Sequence, residues 1–210
     1  MRRIFYYFRW MKYLILIICF ATHSLFAQNF TKEIAKHRAL YKNEFLTDKN
    51  SPLKKEDLKF LQFYAANPSY KVKTYFTKTI DTTGFDMLTH SGKIKKYYVF
   101  GFVTFTLKKQ VCKLFIYQSE QLKTTKGLED YLFIPFTDET NSTATFGGGR
   151  YLDFKEKDIV NNQLLIDFNK SYNPYCAYKG GYNCPIPPKE NDLKITIEAG
   201  EKLFLKAVQE

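Results

Sequence analysis

The sequence predicts a mainly β fold, an antiparallel β-barrel or sandwich with one or two N-terminal helices. After about residue 70, short stretches rich in β-branched and aromatic residues are separated by turn residues. The longest stretch, residues 97–107, is followed by Lys108-Lys109-Gln110 and by a second stretch, residues 111–118, which is the spacing of a β-hairpin. Many short strands joined by turns favour a barrel or sandwich. Further strands are predicted at residues 131–138, 150–154, 163–169 and 193–199.

The segment before the strands predicts helices. In residues 31–46, Ile34, Tyr41 and Phe45 lie near one helical face and charged residues lie elsewhere. Ser51-Pro52 predicts the start of a short second helix, because serine caps a helix and proline suits its first position.

Residues 1–27 have the order of a secretory signal peptide. Four basic residues accompany an apolar run, residues 13–21, and Ala27 offers a small residue before a cleavage point. The run is short for a membrane span, although an uncleaved signal anchor remains an alternative. We therefore expect an exported protein, periplasmic or extracellular, with no membrane span after cleavage. No repeat, linker or boundary interrupts the rest, so residues 28–210 are predicted to form a single domain.

The charge of the chain is strongly positive. Its formal net charge is +11, and removal of the four basic residues of the leader reduces this to +7. Most of the charge comes from lysine clusters beside predicted turns, which is typical of a solvated surface. Contact with an acidic polysaccharide or a membrane surface is the alternative. Nucleic acid is not expected as a partner of an exported protein, and nothing in the sequence indicates an oligomeric state.

Residues 167–191 predict a fixed, irregular loop and the place of a site. Proline, glycine and asparagine are concentrated there, and they favour turns. Cys176 and Cys184 are interpreted as a disulfide that closes this loop in an exported chain. A reactive thiol or two buried free thiols are the alternatives. Cys112 is in phase with the apolar residues of a strand and is interpreted as a core residue.

Several catalytic and metal centres are not predicted. The mature chain has two histidines, His37 and His90, which lie far apart and outside the motif-rich second half of the chain. A histidine-based triad, which needs a base within hydrogen-bond reach of its nucleophile, is therefore not expected. No G-x-S-x-G, phosphate-binding loop or H-E-x-x-H motif is present. The two loop cysteines lack the second pair of a zinc site. We expect no metal and no cofactor, with a carboxylate-bound calcium ion left open.

Strand phase places three charged residues at the ends of inward-facing apolar rows: Asp138, Arg150 and Glu201. Arg150 is predicted to pair with Asp138 across a hairpin. One interpretation is a buried network that anchors loops, because charges leave water only when they are paired. The other is a pocket in which Arg150 grips an anionic or sugar ligand, with tyrosines stacking on it. Three glycines, residues 147–149, would allow a ligand close to the backbone.

Six motifs occur in order in the second half of the chain: PFTDET at 135–140, GGRYLD at 148–153, DFN at 167–169, YNPYCAY at 172–178, CPIPP at 184–188 and AGEK at 199–202. Together they resemble an uncharacterised bacterial family known only as a domain of unknown function, family sixteen-eighty-four. The resemblance is strong over residues 132–202, and Phe146 departs from it where tyrosine would be expected. It implies a shared fold and site location and no chemistry. The candidate binding residues are Asp138, Arg150, Asp167, Asn169, Tyr172, Asn173, Tyr178, Glu190, Asn191 and Glu201.

These observations favour non-catalytic binding or a structural role in the cell envelope, with a small polar or anionic ligand or a saccharide as partner. The alternative is a hydrolase that acts on a carbohydrate or another small polar substrate through paired carboxylates. Two carboxylates with raised pKa values facing one open cleft would favour the enzyme. The same groups fully paired in a filled core would favour the structural role.

Cleavage of the leader is directly testable. We expect exported material to begin at Gln28 and to lack tryptophan, because the only tryptophan is Trp10. N-terminal sequencing and tryptophan fluorescence of the exported protein measure this, and a product that retains Trp10 would contradict cleavage.

Overall fold

A computed structural model describes residues 28–206, and the predicted leader, residues 1–27, lies outside them. Within the described residues, an N-terminal helix, α1, covers residues 28–47, and a short helix, α2, covers Glu120–Lys123. The strands are β1 (Lys71–Lys78), β2 (Phe85–Leu88), β3 (Ile94–Leu107), β4 (Gln110–Ser119), β5 (Tyr131–Asp138), β6 (Arg150–Lys155), β7 (Gln163–Asp167) and β8 (Asp192–Leu193). Short 3-10 helices cover Lys55–Phe60, Pro68–Tyr70, Glu156–Asp158, Phe168–Lys170, Tyr175–Ala177 and Lys189–Asn191.

All eight strands belong to one sheet curled into a half-barrel. Its main path runs β6-β5-β4-β3-β1-β7, while β2 pairs with β3 and β8 pairs with β5. Every pair of named strands is antiparallel except the short β5–β8 pair. The predicted mainly β class is therefore confirmed. The two ends of the path, β6 and β7, are not paired with each other.

The long β3–β4 hairpin confirms the predicted turn. Leu107 pairs with Gln110, and the two lysines between them have φ values of 50° and 64°. Positive φ at both central residues is the geometry of the two-residue turn that matches the strand twist. Near the middle of β3 the register shifts between Val99 and Gly101. A side chain at Gly101 would lie 2.5 Å from the carbonyl oxygen of Thr77, so only glycine fits this bend.

The main core lies on the inner face of the curled sheet, where alternate residues of β3 to β7 pack together. The segment after β8 also enters this core, through Leu193, Ile195, Ile197 and Ala199. The prediction of a strand at 193–199 is wrong beyond Leu193, where β8 ends. Beyond Leu193 no regular ladder of backbone bonds continues: the Glu139 N–H donates to the carbonyl oxygen of Ile195 at 3.1 Å, and Asp138 Oδ1 accepts the Ile197 N–H at 3.1 Å.

Arg150 holds this segment in place. Its side chain is fully buried and forms an ion pair with Asp138 at 2.7 Å. The guanidinium also donates to the carbonyl oxygens of Ile197 at 2.9 Å, of Glu201 at 3.2 Å and of Ala199. The predicted Arg150–Asp138 pair is present, and these contacts leave the guanidinium no surface for a ligand.

The helical predictions are partly correct. Helix α1 is present and slightly longer than predicted, but the second helix is only a 3-10 helix, Lys55–Phe60. Ser51 does not cap it, because its hydroxyl bonds both the N–H and the carbonyl oxygen of Leu53, at 3.2 and 2.9 Å. The strand predicted at 163–169 ends at Asp167, because the Asp167 side chain accepts the Asn169 N–H and starts a 3-10 turn.

We expect Arg150→Met to lower the free energy of unfolding by about 3–5 kcal/mol, because it leaves Asp138 buried and unpaired. Adding Asp138→Asn should restore part of this loss, since asparagine retains an accepting oxygen but carries no charge. Recovery should stay incomplete, because three carbonyl oxygens still lack their donor. Urea unfolding of the single and double variants measures this. An Arg150→Met variant with the same free energy of unfolding as the wild type would contradict the anchoring role.

Candidate functional site

An open cleft lies where the two ends of the sheet approach each other. It is lined by residues of β6 and β7, by α1 and by the 172–185 loop, and it has a volume of about 1120 Å³. We call it the seam cleft, and the residues that matter below are Glu33, His37, Tyr41, Glu44, Lys95, Asp153, Asp167 and Tyr172. Because β6 and β7 do not pair, α1 covers a gap in the half-barrel rather than a continuous sheet.

Asp153 lies on β6 and is exposed in the seam cleft. Its neighbours Leu152 and Phe154 face the core, so strand alternation turns Asp153 outward. Its carboxylate accepts hydrogen bonds from the hydroxyls of Tyr131, at 2.6 Å, and Tyr172, at 2.8 and 2.7 Å. No lysine or arginine among residues 28–206 forms an ion pair with it.

The surrounding protein makes ionisation of Asp153 less favourable. Desolvation by the cleft walls raises its pKa, the two tyrosine hydrogen bonds lower it, and the charge of Glu44 raises it further. The net direction is upward. Burial and the nearby Asp153 charge also raise the pKa values of Tyr131 and Tyr172 well above the ordinary value. Both phenols therefore stay protonated and donate their single proton to Asp153.

An aromatic cluster on the outer face of the sheet supports this site. Tyr151 packs edge-to-face on Tyr172, with ring centroids 5.8 Å apart, and on Phe133 at 4.7 Å. The Tyr151 hydroxyl donates to the carbonyl oxygen of Pro185, which joins the sheet to the loop. The rings around Asp153 are therefore fixed by packing before any ligand arrives.

The other end of the seam cleft contains Asp167, which is only 5% exposed. Its Oδ1 accepts the backbone and side-chain N–H groups of Asn169, at 3.0 and 2.8 Å. Its Oδ2 is buried and has no hydrogen-bond partner within residues 28–206. His37 lines the same end, and burial and then the charge of Lys170 lower its pKa, so it is neutral near pH 7.

Glu201 lies behind the cleft and is completely buried. It accepts hydrogen bonds from the hydroxyls of Tyr178, at 2.6 Å, and Tyr41, at 2.9 Å, and from the backbone N–H of Asn173, at 2.9 Å. Burial raises the pKa of Glu201 to about 7, although these bonds and Arg150 oppose the shift. Tyr41 belongs to α1 and lines the cleft, so Glu201 ties the helix to the core.

The predicted disulfide between Cys176 and Cys184 is present, with Cα atoms 6.2 Å apart. It closes a loop whose tyrosines reach the segment after α1. Tyr175 donates to Asp48 Oδ2 at 2.8 Å, and Tyr182 donates to the carbonyl oxygen of Asn50 at 2.7 Å. The disulfide thus helps to shape one wall of the cleft. Cys112 is free and buried, as predicted for a core residue.

Of the predicted binding residues, Asp167 and Tyr172 line the seam cleft. Asn191 is buried and bonds both backbone groups of Phe115 and the carbonyl oxygen of Pro135, so it joins β4 to β5. Glu190 beside it is exposed and does not line the cleft. The other predicted binding residues are buried and hydrogen-bonded within the fold: Asp138, Arg150, Asn169, Asn173, Tyr178 and Glu201.

The glycine-rich loop is filled by side chains and offers no space beside Gly148. A β-carbon at Gly148 would lie 2.4 Å from the Phe146 ring and 2.6 Å from His90. Side chains therefore occupy the space beside the α-carbon of Gly148, and the approach of a ligand to the backbone N–H groups of this loop stays a prediction. Phe146, the departure from the family pattern, packs on His90 with ring centroids 5.8 Å apart.

Sequence reasoning missed three residues that line the cleft, Asp153, Glu44 and Tyr41. It also missed Tyr131, whose hydroxyl donates to Asp153. Asp153 belongs to the quoted GGRYLD motif, but its outward phase suggests an ordinary solvent-facing carboxylate. A useful signal was the clustering of aromatic residues in the same outward phase of β5 and β6, at Tyr131, Phe133 and Tyr151. Aromatic residues on a face that would otherwise meet water indicate that something covers it.

Within the described part of the chain, no group of three or more histidine, cysteine, aspartate or glutamate side chains is placed to hold a metal ion. No helix in residues 28–206 combines the length and apolar character needed to cross a membrane.

Comparison with known proteins gives a family and a fold. A family model described as "Protein of unknown function (DUF1684)" matches residues 56–202. The solution NMR structure of an uncharacterized protein from Haloarcula marismortui is similar, with a TM-score of 0.65 and 24% identity. The match covers 86% of this chain and 97% of that one, and at this identity it shows the fold alone. No curated protein matches the chain.

The buried carboxyl of Glu201 should make stability depend on pH. Its pKa is about 7 in the folded protein against 4.5 for an exposed glutamate, so its contribution to the free energy of unfolding is full below about pH 4.5 and is lost as pH rises towards 7. Such a shift corresponds to about 3 kcal/mol. Glu201→Gln should therefore be more stable than the wild type at pH 8 but not at pH 4.5.

Urea unfolding of both proteins at several pH values measures the difference between them, which isolates Glu201 from other titrating groups. Glu198→Gln, at an exposed neighbouring position, is the matched control and should show no such trend. A pH-independent difference for Glu201→Gln would contradict the raised pKa.

Proposed function

The chain belongs to the DUF1684 family of proteins of unknown function, and we propose that it is an exported protein that binds a small polar ligand in the seam cleft. The binding is non-catalytic, and Asp153 is its central contact. Export is supported by the composition of residues 1–27 and by the Cys176–Cys184 disulfide, because disulfides persist in oxidising compartments.

The observation that carries this proposal is the contrast between two aspartates. Asp138 is buried and its charge is matched by Arg150, as a structural carboxylate requires. Asp153 instead faces an open cleft without an ion pair in the described chain, although two tyrosine hydroxyls are fixed on it. A carboxylate that the protein holds in a fixed orientation, partly desolvates and still leaves accessible is typical of a binding site.

The size and rigidity of the cleft also support binding. Its volume of about 1120 Å³ is slightly above that of most small-molecule sites, so the cleft has room for such a ligand. Its walls are fixed by the Tyr151–Pro185 hydrogen bond, by the disulfide and by the Tyr41–Glu201 contact. A site that is formed in advance loses little conformational entropy when a ligand arrives.

A hydrolase using paired carboxylates is the second candidate. Asp153 and Glu44 both line the seam cleft, and desolvation raises the pKa of each. The Glu44 charge also contributes to the raised pKa of Asp153, so the two groups interact. A carboxyl with a raised pKa is suited to act as a general acid. Turnover of a bound compound, lost in both Asp153→Asn and Glu44→Gln, would favour this candidate over binding alone.

We expect a thermal-shift screen of sugars, amines, amino acids and carboxylates to find compounds that stabilise the wild type but not Asp153→Asn. A ligand at a hundred times its dissociation constant adds about 2.7 kcal/mol, which is a rise in Tm of about 5–10 °C for a protein of this size. Asparagine retains an acceptor for the tyrosines, so the variant should fold.

Asp86→Asn is the matched control, because Asp86 is exposed on β2 and does not line the cleft. It should respond to the same compounds as the wild type. If no compound separates Asp153→Asn from Asp86→Asn, the seam cleft is not the binding site.

A further inference from the structure

We propose that the ligand of the seam cleft is a small aliphatic amine, recognised through its ammonium group. This inference rests on the proposed function and names the ligand class. It replaces the wider expectation of a polar, anionic or saccharide ligand.

The hydrogen-bonding capacity around Asp153 selects a donor. A tyrosine hydroxyl has one proton to donate, and Tyr131 and Tyr172 both donate theirs to Asp153. The nearby Tyr151 hydroxyl donates to Pro185. What remains free at this centre is accepting capacity, on the carboxylate and on the phenol oxygens. An ammonium group, which only donates, is complementary to such a centre, whereas a carboxylate or phosphate is not.

A second, independent acceptor lies at the β7 side of the same cleft. Asp167 Oδ2 is buried without a partner in the described chain, although Oδ1 of the same side chain accepts two hydrogen bonds. An unsatisfied buried carboxylate oxygen is costly, and such oxygens are rare in folded proteins. Asp167 lines the cleft, and a ligand donor would satisfy this oxygen once the side chains that cover it shift.

The charges that line the cleft are net negative, although the whole chain has a formal charge of +11. Five carboxylates and three lysines line the cleft. One of the carboxylates, Glu33, forms ion pairs with two of the lysines, Lys71 at 3.2 Å and Lys170 at 3.5 Å. Lys95 is the remaining basic residue of the lining. The other four carboxylates are Glu44, Asp153, Asp158 and Asp167, so the formal charge of the lining is −2. The cleft is thus an acidic site on a basic protein, where a cation is favoured over an anion.

The remaining walls suit the alkyl part of an amine. Leu40, Phe154, Leu164 and Leu165 line the cleft between its polar groups. Tyr151 and Tyr172 also line the cleft, and their rings pack edge-to-face at 88° to each other. Aromatic faces attract cations, and apolar side chains cover methylene groups. Both features favour an alkylammonium ion over a fully hydroxylated sugar.

Three probes of equal chain length isolate the charge: 1,4-diaminobutane, 1,4-butanediol and succinate. Calorimetric titration of the full exported chain at low salt should show binding of the diamine, with the diol and succinate at least ten-fold weaker. Butylamine tests a single ammonium group, and methyl glucoside tests a saccharide. Diamine affinity should fall as salt is added, because the attraction is electrostatic.

Variants assign the binding to the two carboxylates. Asp153→Asn and Asp167→Asn should each weaken diamine binding at least ten-fold, because each removes a negative charge and places an amide in the cleft. Asp86→Asn should bind like the wild type. Unfolding curves of all variants show whether each is folded, and Asp153→Asn remains decisive if Asp167→Asn is unstable.

The two levels of the proposal fail differently. If neither amine binds, but another compound binds and requires Asp153, the ligand class is wrong and the binding function stands. Equal or tighter binding of the diol, succinate or methyl glucoside than of the diamine also overturns the ligand class. If no probe and no screened compound requires Asp153, the binding function itself is overturned.

Discussion

The buried guanidinium of Arg150 is the interaction on which the rest of the structure depends. It neutralises Asp138 and binds three carbonyl oxygens of the segment that follows β8. Beyond Leu193 that segment no longer belongs to a strand, so these bonds hold backbone that a regular sheet ladder would otherwise hold. A fully buried arginine is stable only when its charge and most of its donors are matched, and this requirement fixes the path of residues 195–201.

The seam cleft follows from that path. The anchored segment places Glu201 beneath the Tyr41 and Tyr178 hydroxyls, and Tyr41 holds α1 against the fold. Helix α1 then covers the gap between β6 and β7 without filling it. Asp153, which a simple sheet would leave in bulk water, becomes part of a shaped and partly desolvated cleft. The candidate site therefore depends on the structural network, because that network positions the helix that covers the cleft.

Carboxylates in three settings show how environment separates structural from functional groups. Asp138 is matched by a cation, Glu201 is matched by neutral donors and has a pKa of about 7, and Asp153 is matched only by phenols and remains accessible. Because Asp138 and Glu201 are buried, neither can contact a ligand. The third is left for recognition, together with the unsatisfied Oδ2 of Asp167.

The sequence by itself determined the β class, the hairpin at Lys108-Lys109, the Asp138–Arg150 pair and the loop disulfide. These depend on contacts between neighbouring strands or within one loop, and alternation and turn residues record such contacts locally. It did not determine the site. The inward phase of Arg150 and Glu201 in their strands made them candidate binding residues. Inward residues of a well-packed half-barrel are buried and hydrogen-bonded, so these two stabilise the fold instead. Only the tertiary structure decided that α1 covers an unpaired seam, because that contact joins residues more than a hundred positions apart and leaves no periodic trace in the sequence.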